Sequence, residues 1–422
     1  MQLEPANAEA LSRVRDRRLR ELIGHAWQHS AHYHRAMEAA GITPAKISTA
    51  EDLTAMPLLQ KQTLRASLRE VADRRADLGG CVNERTNGTT GEPLVIPSTE
   101  AERRFKHGLW FAAYMRCGLR PWHREAKFVI PPGPSGKRWA FQRFGIFRRN
   151  YLSVAEPTEK KIAWLREQKP DALFAWGVVL NEISLELEKT GGSLHVPLIF
   201  SSSDTVFQDL VAPRISGKLI DIYGAMEGGP FARPCPLGHG YHVDTRWNII
   251  EILDAADRPA ASGRIVVTVL WRRTAPLIRY EIGDLGSWAA GPCACGNPMP
   301  LLSSLNGRSP DLLELADGGR ISSGAVTAQF RAVPGIRQYQ LVQTAPAEVL
   351  IHIIPTPQFP TDAAELIRRK IEREFAGKLR VQIHLATSIY RPAAEKVCSL
   401  ITMERLEKMK ARGIDIAPFL ER

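Results

Sequence analysis

The sequence has 422 residues, 44% of them hydrophobic and 24% charged, with a formal net charge of +11. That length holds two or three domains with substantial cores, and no stretch approaches the roughly 18 uninterrupted apolar residues of a membrane span. Met1–Glu9 lacks a basic stretch followed by an apolar run, and no basic stripe interleaves with aromatics. Secretion, membrane insertion and nucleic-acid binding are therefore not expected, and a cytoplasmic protein is. The excess charge lies in clusters at Arg13–Arg20, Arg143–Arg149 and Arg368–Arg373, each broken by apolar residues. Those read as solvated faces, and the sign also suits a polyanionic small substrate such as ATP or coenzyme A.

Residues Ala8 to Gly41 read as a helical lead-in, with Leu11, Leu19, Leu22, Ile23 and Trp27 at helix spacing. Ser48–Glu51 offers an N-cap, and His25, His29, His32 and His34 read as packing or surface residues. Next comes Thr86-Asn87-Gly88-Thr89-Thr90-Gly91-Glu92-Pro93, before the strand-like Leu94–Pro97. Gly88 and Gly91 tolerate positive φ, and the hydroxyls of Thr86, Thr89 and Thr90 are neutral donors to phosphate oxygens. The stretch reads as a polyphosphate cradle or as an ordinary Gly/Thr turn; it is not a Walker A loop, lacking Gly-Lys-Ser/Thr.

Thr99–Gly118 has helix character, and Lys127–Ile130 is a short strand ending in a proline loop. Thr158–Gln168 reads as a helix, Ala172–Gly177 as a buried strand and turn, and Val178–Thr190 as the next helix. Val196–Phe200 and Leu219–Tyr223 are two further strands. Alternating strands and helices argue for a mostly parallel α/β sheet. From Trp247 onward, Ile249–Leu253 and Arg264–Leu270 flank a turn-rich gap and predict a β subdomain over about 235–306. After Arg308 the order is strand, strand, helix and strand, at Gln338–Val342, Val349–Ile354, Asp362–Phe375 and Val381–Leu385. The expected fold is thus α/β: a large N-terminal domain, 1–308, with mostly parallel sheets and the β subdomain, and a small mobile α+β C-terminal domain, 309–422.

Four further stretches carry chemistry. In Ile222-Tyr223-Gly224-Ala225-Met226-Glu227-Gly228-Gly229, a glutamate follows a strand end, where open α/β sheets bind ligands. Glu227 is either a hard-cation ligand or a solvated turn residue. In Arg279-Tyr280-Glu281-Ile282-Gly283-Asp284, Asp284 is placed to accept ribose hydroxyls or to sit at a surface turn. Gly307-Arg308-Ser309-Pro310 precedes the change of domain, and Glu395-Lys396 places a lysine on a late loop.

In this order and spacing, the set resembles the adenylate-forming superfamily, and most of all its phenylacetate–coenzyme A ligase branch. The resemblance covers nearly the whole chain. It implies that Thr86–Pro93 grips the β- and γ-phosphates. Ser201–Asp204, with Ser202 and Ser203 at its centre, would line the adenine, and Tyr223 and Gly224 would border the adenine and acyl pocket. Glu227, beside Met226, would hold magnesium, Asp284 the ribose, and Arg308 ribose or phosphate. Lys396 would be the mobile catalytic lysine, acting with Glu227 and Thr89. The sequence departs from the family pattern at Met226 (usually Thr), at Pro310 (usually the hinge aspartate) and at Glu395 (usually glycine). Basic residues are also missing around Cys398.

The implied reaction attacks the α-phosphorus of ATP with a carboxylate, then passes the acyl group from AMP to coenzyme A. An aryl or small acyl acid is expected, with Phe174, Trp176 and Tyr223 as aromatic pocket candidates. Alternatives are transfer to a carrier protein, an amine or another nucleophile, and a catalytically inactive nucleotide-binding homologue. A monomer or homodimer is expected. Separately, Cys235, Cys293 and Cys295, with His239 or His242, lie on two knuckle-like turns flanking the β subdomain. Three thiolates and one imidazole make a closed tetrahedral zinc site of structural type; the other reading is reduced cysteines in loops. His239 is the first choice for the fourth ligand, because His242 heads a strand.

Overall fold

The computed structural model describes residues 7–85, 94–129, 140–202, 206, 208–308, 312–327, 329–330, 333–389 and 400–421. The chain divides into two compact units, one of residues 1–113 with 222–310 and the other of 114–221 with 311–422. Among the described residues, no helix is long and apolar enough to cross a membrane.

The lead-in is two helices, Ala8–His29 and Ala31–Ala39, because Ser30 leaves helical geometry and caps the second by accepting from the Tyr33 N–H. Their apolar stripe, including Leu19, Leu22, Ile23 and Tyr33, is fully buried in the first unit's core. The Tyr33 hydroxyl donates to the Pro276 carbonyl at 3.0 Å and accepts from the Ile278 N–H at 3.0 Å, so even its polar end is satisfied. At Ser48–Glu51 the Asp52 carboxylate, rather than Ser48, receives the backbone N–H groups of Ser48 and Thr49.

Strands β1 (Val82–Arg85) and β2 (Val95–Ser98) form an antiparallel hairpin whose last pair is Arg85 with Val95. A helix, Glu100–Arg116, follows. The second unit begins with a parallel sheet of β3 (Arg124–Val129), β4 (Arg148–Ser153), β5 (Ala172–Trp176), β6 (Leu194–Ser202) and β7 (Ile215–Asp221), in the order β4-β3-β5-β6-β7. Parallel neighbours need a crossover, and the helices Thr158–Gln168 and Gly177–Lys189 supply two. They bury Ile162, Leu165, Leu180 and Ile183 against Ala126, Phe128, Leu173 and Ile199 of the sheet.

In the first unit, β8 (Tyr223–Ala225), β9 (Gly229–Pro234), β10 (Tyr241–Val243), β11 (Asn248–Leu253), β12 (Ser262–Val269), β13 (Tyr280–Trp288) and β14 (Leu301–Arg308) form a seven-stranded antiparallel sheet. The expected strand Leu219–Tyr223 is in fact two: β7 stops at Asp221, and Tyr223 opens β8 in the antiparallel sheet. The region expected to be mostly parallel therefore also contributes a large antiparallel sheet.

The C-terminal segment is α+β. It pairs β15 (Leu312–Glu314) with β16 (Arg320–Ser322). It also builds a mixed sheet from β17 (Ile336–Ala345), β18 (Glu348–Pro355), β19 (Arg380–Leu385) and β20 (Leu400–Ile401), in the order β19-β18-β17-β20. The amphipathic helix Ala363–Glu374 buries Ile367 and Ile371 in this segment's core.

Candidate active site

The Thr86–Pro93 stretch, including Asn87, Gly88, Thr89, Thr90 and Gly91, lies outside the described residues; the chain before and after it is paired in the β1–β2 hairpin. One residue below the last pair, Glu84 points to Lys106 on the Glu100–Arg116 helix. The Lys106 ammonium donates to Glu84 Oε1 at 2.5 Å and to the Met226 carbonyl at 2.8 Å. Its side chain is only 4% exposed. Burial lowers the Lys106 pKa, and Glu84 opposes that shift. This lysine therefore ties the foot of the Thr/Gly loop to the residue preceding Glu227.

Glu227 is 7% exposed, and its carboxylate makes no hydrogen bond or ion pair with a described residue. The backbone around it is pinned instead. Arg272, fully buried, donates to the carbonyls of Glu227 (3.2 Å), Pro97 (2.6 Å) and Ala275 (2.9 Å). A near-buried carboxylate that hydrogen-bonds no described residue, in the field of Lys106 and Arg272, is a donor suited to a hard divalent cation. The turn needs its glycines: a Cβ on Gly224 would lie 2.5 Å from the Gly229 carbonyl oxygen, and Gly229 has φ of +80°. Met226, beside it, is 47% exposed.

From β8, the Tyr223 hydroxyl donates to Asp284 Oδ2 at 2.8 Å. Asp284 on β13 is the register partner of Arg308 on β14. The sheet thus gathers Tyr223, Gly224, Glu227, Asp284 and the Arg308 backbone, while Lys106 links them to the loop hairpin. Lys396, Glu395, Pro310, Cys398 and Ser203 lie outside the described residues; Ser202 ends β6 in the second unit. Phe174 is 6% exposed and stacks on Phe200 at 4.9 Å, with Tyr114 edge-on to both. It is a core residue at this level of the sheet. Sequence reasoning missed Lys106, Glu84 and Arg272, since a lysine inside an amphipathic helix looks like a solvated one.

The cysteine cluster forms where β10 lies between β9 and β14. That order brings the β9–β10 and β13–β14 turns to the same end of the sheet. Ligand atoms of Cys235, His242, Cys293 and Cys295 all lie within 4.8 Å of one another. Cys235 and Cys293 sulfurs are 3.6 Å apart, and His242 Nε2 is 3.1 Å from Cys295 Sγ. A tetrahedron with zinc–sulfur bonds of about 2.3 Å has sulfur–sulfur edges of about 3.8 Å, so the donor set fits that ion.

Of the two candidate histidines, His242 is the one grouped with the three cysteines. His242 is fully buried with Nδ1 at 3.1 Å from the Met299 carbonyl, whereas His239 stays on the exposed turn, 3.7 Å from Cys293 Sγ. A proton on Nδ1 leaves Nε2 free to ligate. The turn itself is tight: Gly240 has φ of +124°, and a Cβ there would meet the Leu302 oxygen at 2.0 Å.

No family model matches the sequence. Two curated proteins, both phenylacetate–coenzyme A ligases, are similar to it. The one from Thermus thermophilus is 23% identical over 368 residues, covering 81% of this chain and 80% of its own. The one from Aromatoleum evansii is 24% identical over 339 residues, covering 74% and 73%. Among solved structures, 2-hydroxyisobutyryl-CoA ligase in the postadenylation state, in complex with 2-HIB-AMP, matches with a TM-score of 0.77. The match covers 97% of this chain and 93% of that one at 18% identity. The chain has the adenylate-forming ligase fold and is a relative of phenylacetate–coenzyme A ligases. Within that fold, Tyr223 and Asp284 come from strands of one antiparallel sheet and Glu227 from the turn between β8 and β9, and Lys106 ties that turn to the β1–β2 hairpin.

Proposed function

We propose that the protein is an AMP-forming carboxylate–CoA ligase acting on an aryl or small acyl acid. The observation that carries this reading is the Lys106 bridge. It couples the hairpin bearing Thr86–Gly91 to the Met226–Glu227 turn, four residues or fewer from the Tyr223–Asp284 pair. In this reading Asp284, oriented by the Tyr223 hydroxyl, accepts the ribose hydroxyls. The Thr/Gly loop donates to the β- and γ-phosphates, and Glu227 holds magnesium, which would neutralise phosphate charge. Lys396 adds a cation where negative charge gathers as the carboxylate oxygen displaces pyrophosphate. AMP is then the leaving group for the coenzyme A thiol. Residues 309–422 are assigned as the lid domain that carries Lys396.

The same reading assigns structural zinc to Cys235, His242, Cys293 and Cys295, where a closed four-ligand site leaves no position for substrate. Release of AMP from ATP and an aryl acid, dependent on coenzyme A, tests the overall function. Lys396→Ala should abolish adenylation while sparing thioester formation from a supplied acyl-adenylate. Equal loss in both half-reactions would remove Lys396 from its assigned role.

A further inference from the structure

A surface of the second unit, built from residues given no catalytic role above, combines exposed aromatics with exposed arginines. Phe144 is 84% exposed and Trp122 71%, with Ile146 at 41% and Phe141 at 39%. These come from two turns that are joined: the Phe147 N–H donates to the Pro121 carbonyl at 2.5 Å, and Gln142 Nε2 donates to the Phe147 carbonyl at 3.2 Å. Gly145 (φ +83°) and Phe147 (φ +48°) bend the chain sharply, and they set the side chains of Phe144 and Ile146 outward.

Arg120, Arg143 and Arg148 are exposed beside them. Glu125 is the one acidic residue between positions 114 and 149, and it is buried and bonded to Arg149 at 2.6 Å. Nothing acidic in this stretch is left to balance the three arginines.

Each possible occupant meets this charge differently. A second copy docked across a two-fold axis would set the same arginines against themselves. A protein partner would need grooves for two projecting rings as well as carboxylates for the arginines. An anionic lipid surface needs neither: headgroups supply the negative charge, and aromatic side chains settle at the headgroup–acyl boundary without a shaped receptor. We infer that the surface formed by Trp122, Phe141, Phe144 and Ile146 with Arg120, Arg143 and Arg148 docks the protein onto anionic membranes. The attachment is peripheral and reversible, with the arginine heads at phosphate level and the rings beneath them.

The test is co-sedimentation of the full chain with phosphatidylcholine vesicles, with and without phosphatidylserine, at low and high salt. The parent protein should bind vesicles containing phosphatidylserine, bind pure phosphatidylcholine far more weakly, and lose affinity as salt rises. Arg143→Gln and Arg148→Gln should each weaken partitioning about fivefold. Trp122→Ser with Phe144→Ser should weaken it at least about tenfold, with an unchanged melting temperature. Three outcomes overturn the assignment: failure to bind either vesicle, equal binding by the double serine variant, or binding only to an acidic amphipathic peptide, which makes the surface a protein-docking site. None of these outcomes bears on whether the protein adenylates an acid.

Discussion

Replacing Lys106 by methionine keeps the side chain's length and removes its charge, and the structure sets the cost. The ammonium is 4% exposed and its partner Glu84 10%. Without Lys106, the hydrogen bond left to the Glu84 carboxylate among the described residues is from the Ser98 hydroxyl at 3.2 Å, and the Met226 carbonyl loses the donor at 2.8 Å. Breaking one partner of a buried pair typically costs about 3–5 kcal/mol, because the other charge stays desolvated. For a compact unit of this size about 2–4 °C accompanies each kcal/mol, so melting should fall by roughly 6–20 °C. Adding Glu84→Gln removes the stranded charge and should restore at least half of the loss.

Thermal unfolding of the parent, both single variants and the double variant completes the cycle. Lys106→Arg keeps the charge and should retain magnesium-dependent turnover, while Lys106→Met should need several-fold more magnesium for half-maximal rate. A single-variant loss below about 1 kcal/mol, or losses that simply add in the double variant, would show that the bridge holds nothing in place.

Three other outcomes follow from the geometry. Tyr223→Phe removes the donor to Asp284 Oδ2 and should raise the KM for ATP about five- to tenfold, given about 1–1.5 kcal/mol for such a bond; an unchanged KM removes Tyr223 from ribose binding. Burial, with Arg149 nearby, lowers the Lys127 pKa from about 10.5 to about 8. Between those values the unfolded chain holds the proton that the folded one has lost, so stability relative to Lys127→Met should rise from pH 8 towards pH 10. A flat difference in melting temperature across that range contradicts the shift. Purified protein should carry one zinc per chain, lost in His242→Ala and kept in His239→Ala; the opposite pattern would restore His239 as the ligand.

Much of the fold was legible because its signals are local. The periodicity of Thr158–Gln168 coincides with the observed helix, and the alternation from Ile249 and Arg264 marks two paired strands. Signals that depend on tertiary placement were not legible. Leu219–Tyr223 alternates like one strand, with Asp221 its only polar residue, and the division between β7 and β8 at that point appears in the strand pairing. His239 and His242 are both near Cys235, and only the fold shows His242 buried against the Met299 carbonyl and grouped with the three cysteines. Asp284 was expected on a turn after a strand but lies within β13, and the Tyr223 hydroxyl that donates to it is 61 residues away in sequence. Lys106 carried no sequence signal at all, because its partners, Glu84 and Met226, come from a hairpin before the helix and a turn 120 residues after it.

The most direct measurement is isotope exchange between pyrophosphate and ATP across a panel of aryl and short-chain acids, with no coenzyme A present. Exchange that appears only with a particular acid and magnesium, and that is lost in Glu227→Gln and Asp284→Ala, is the predicted result. ATP binding without exchange for any acid in the panel would contradict the proposed adenylation.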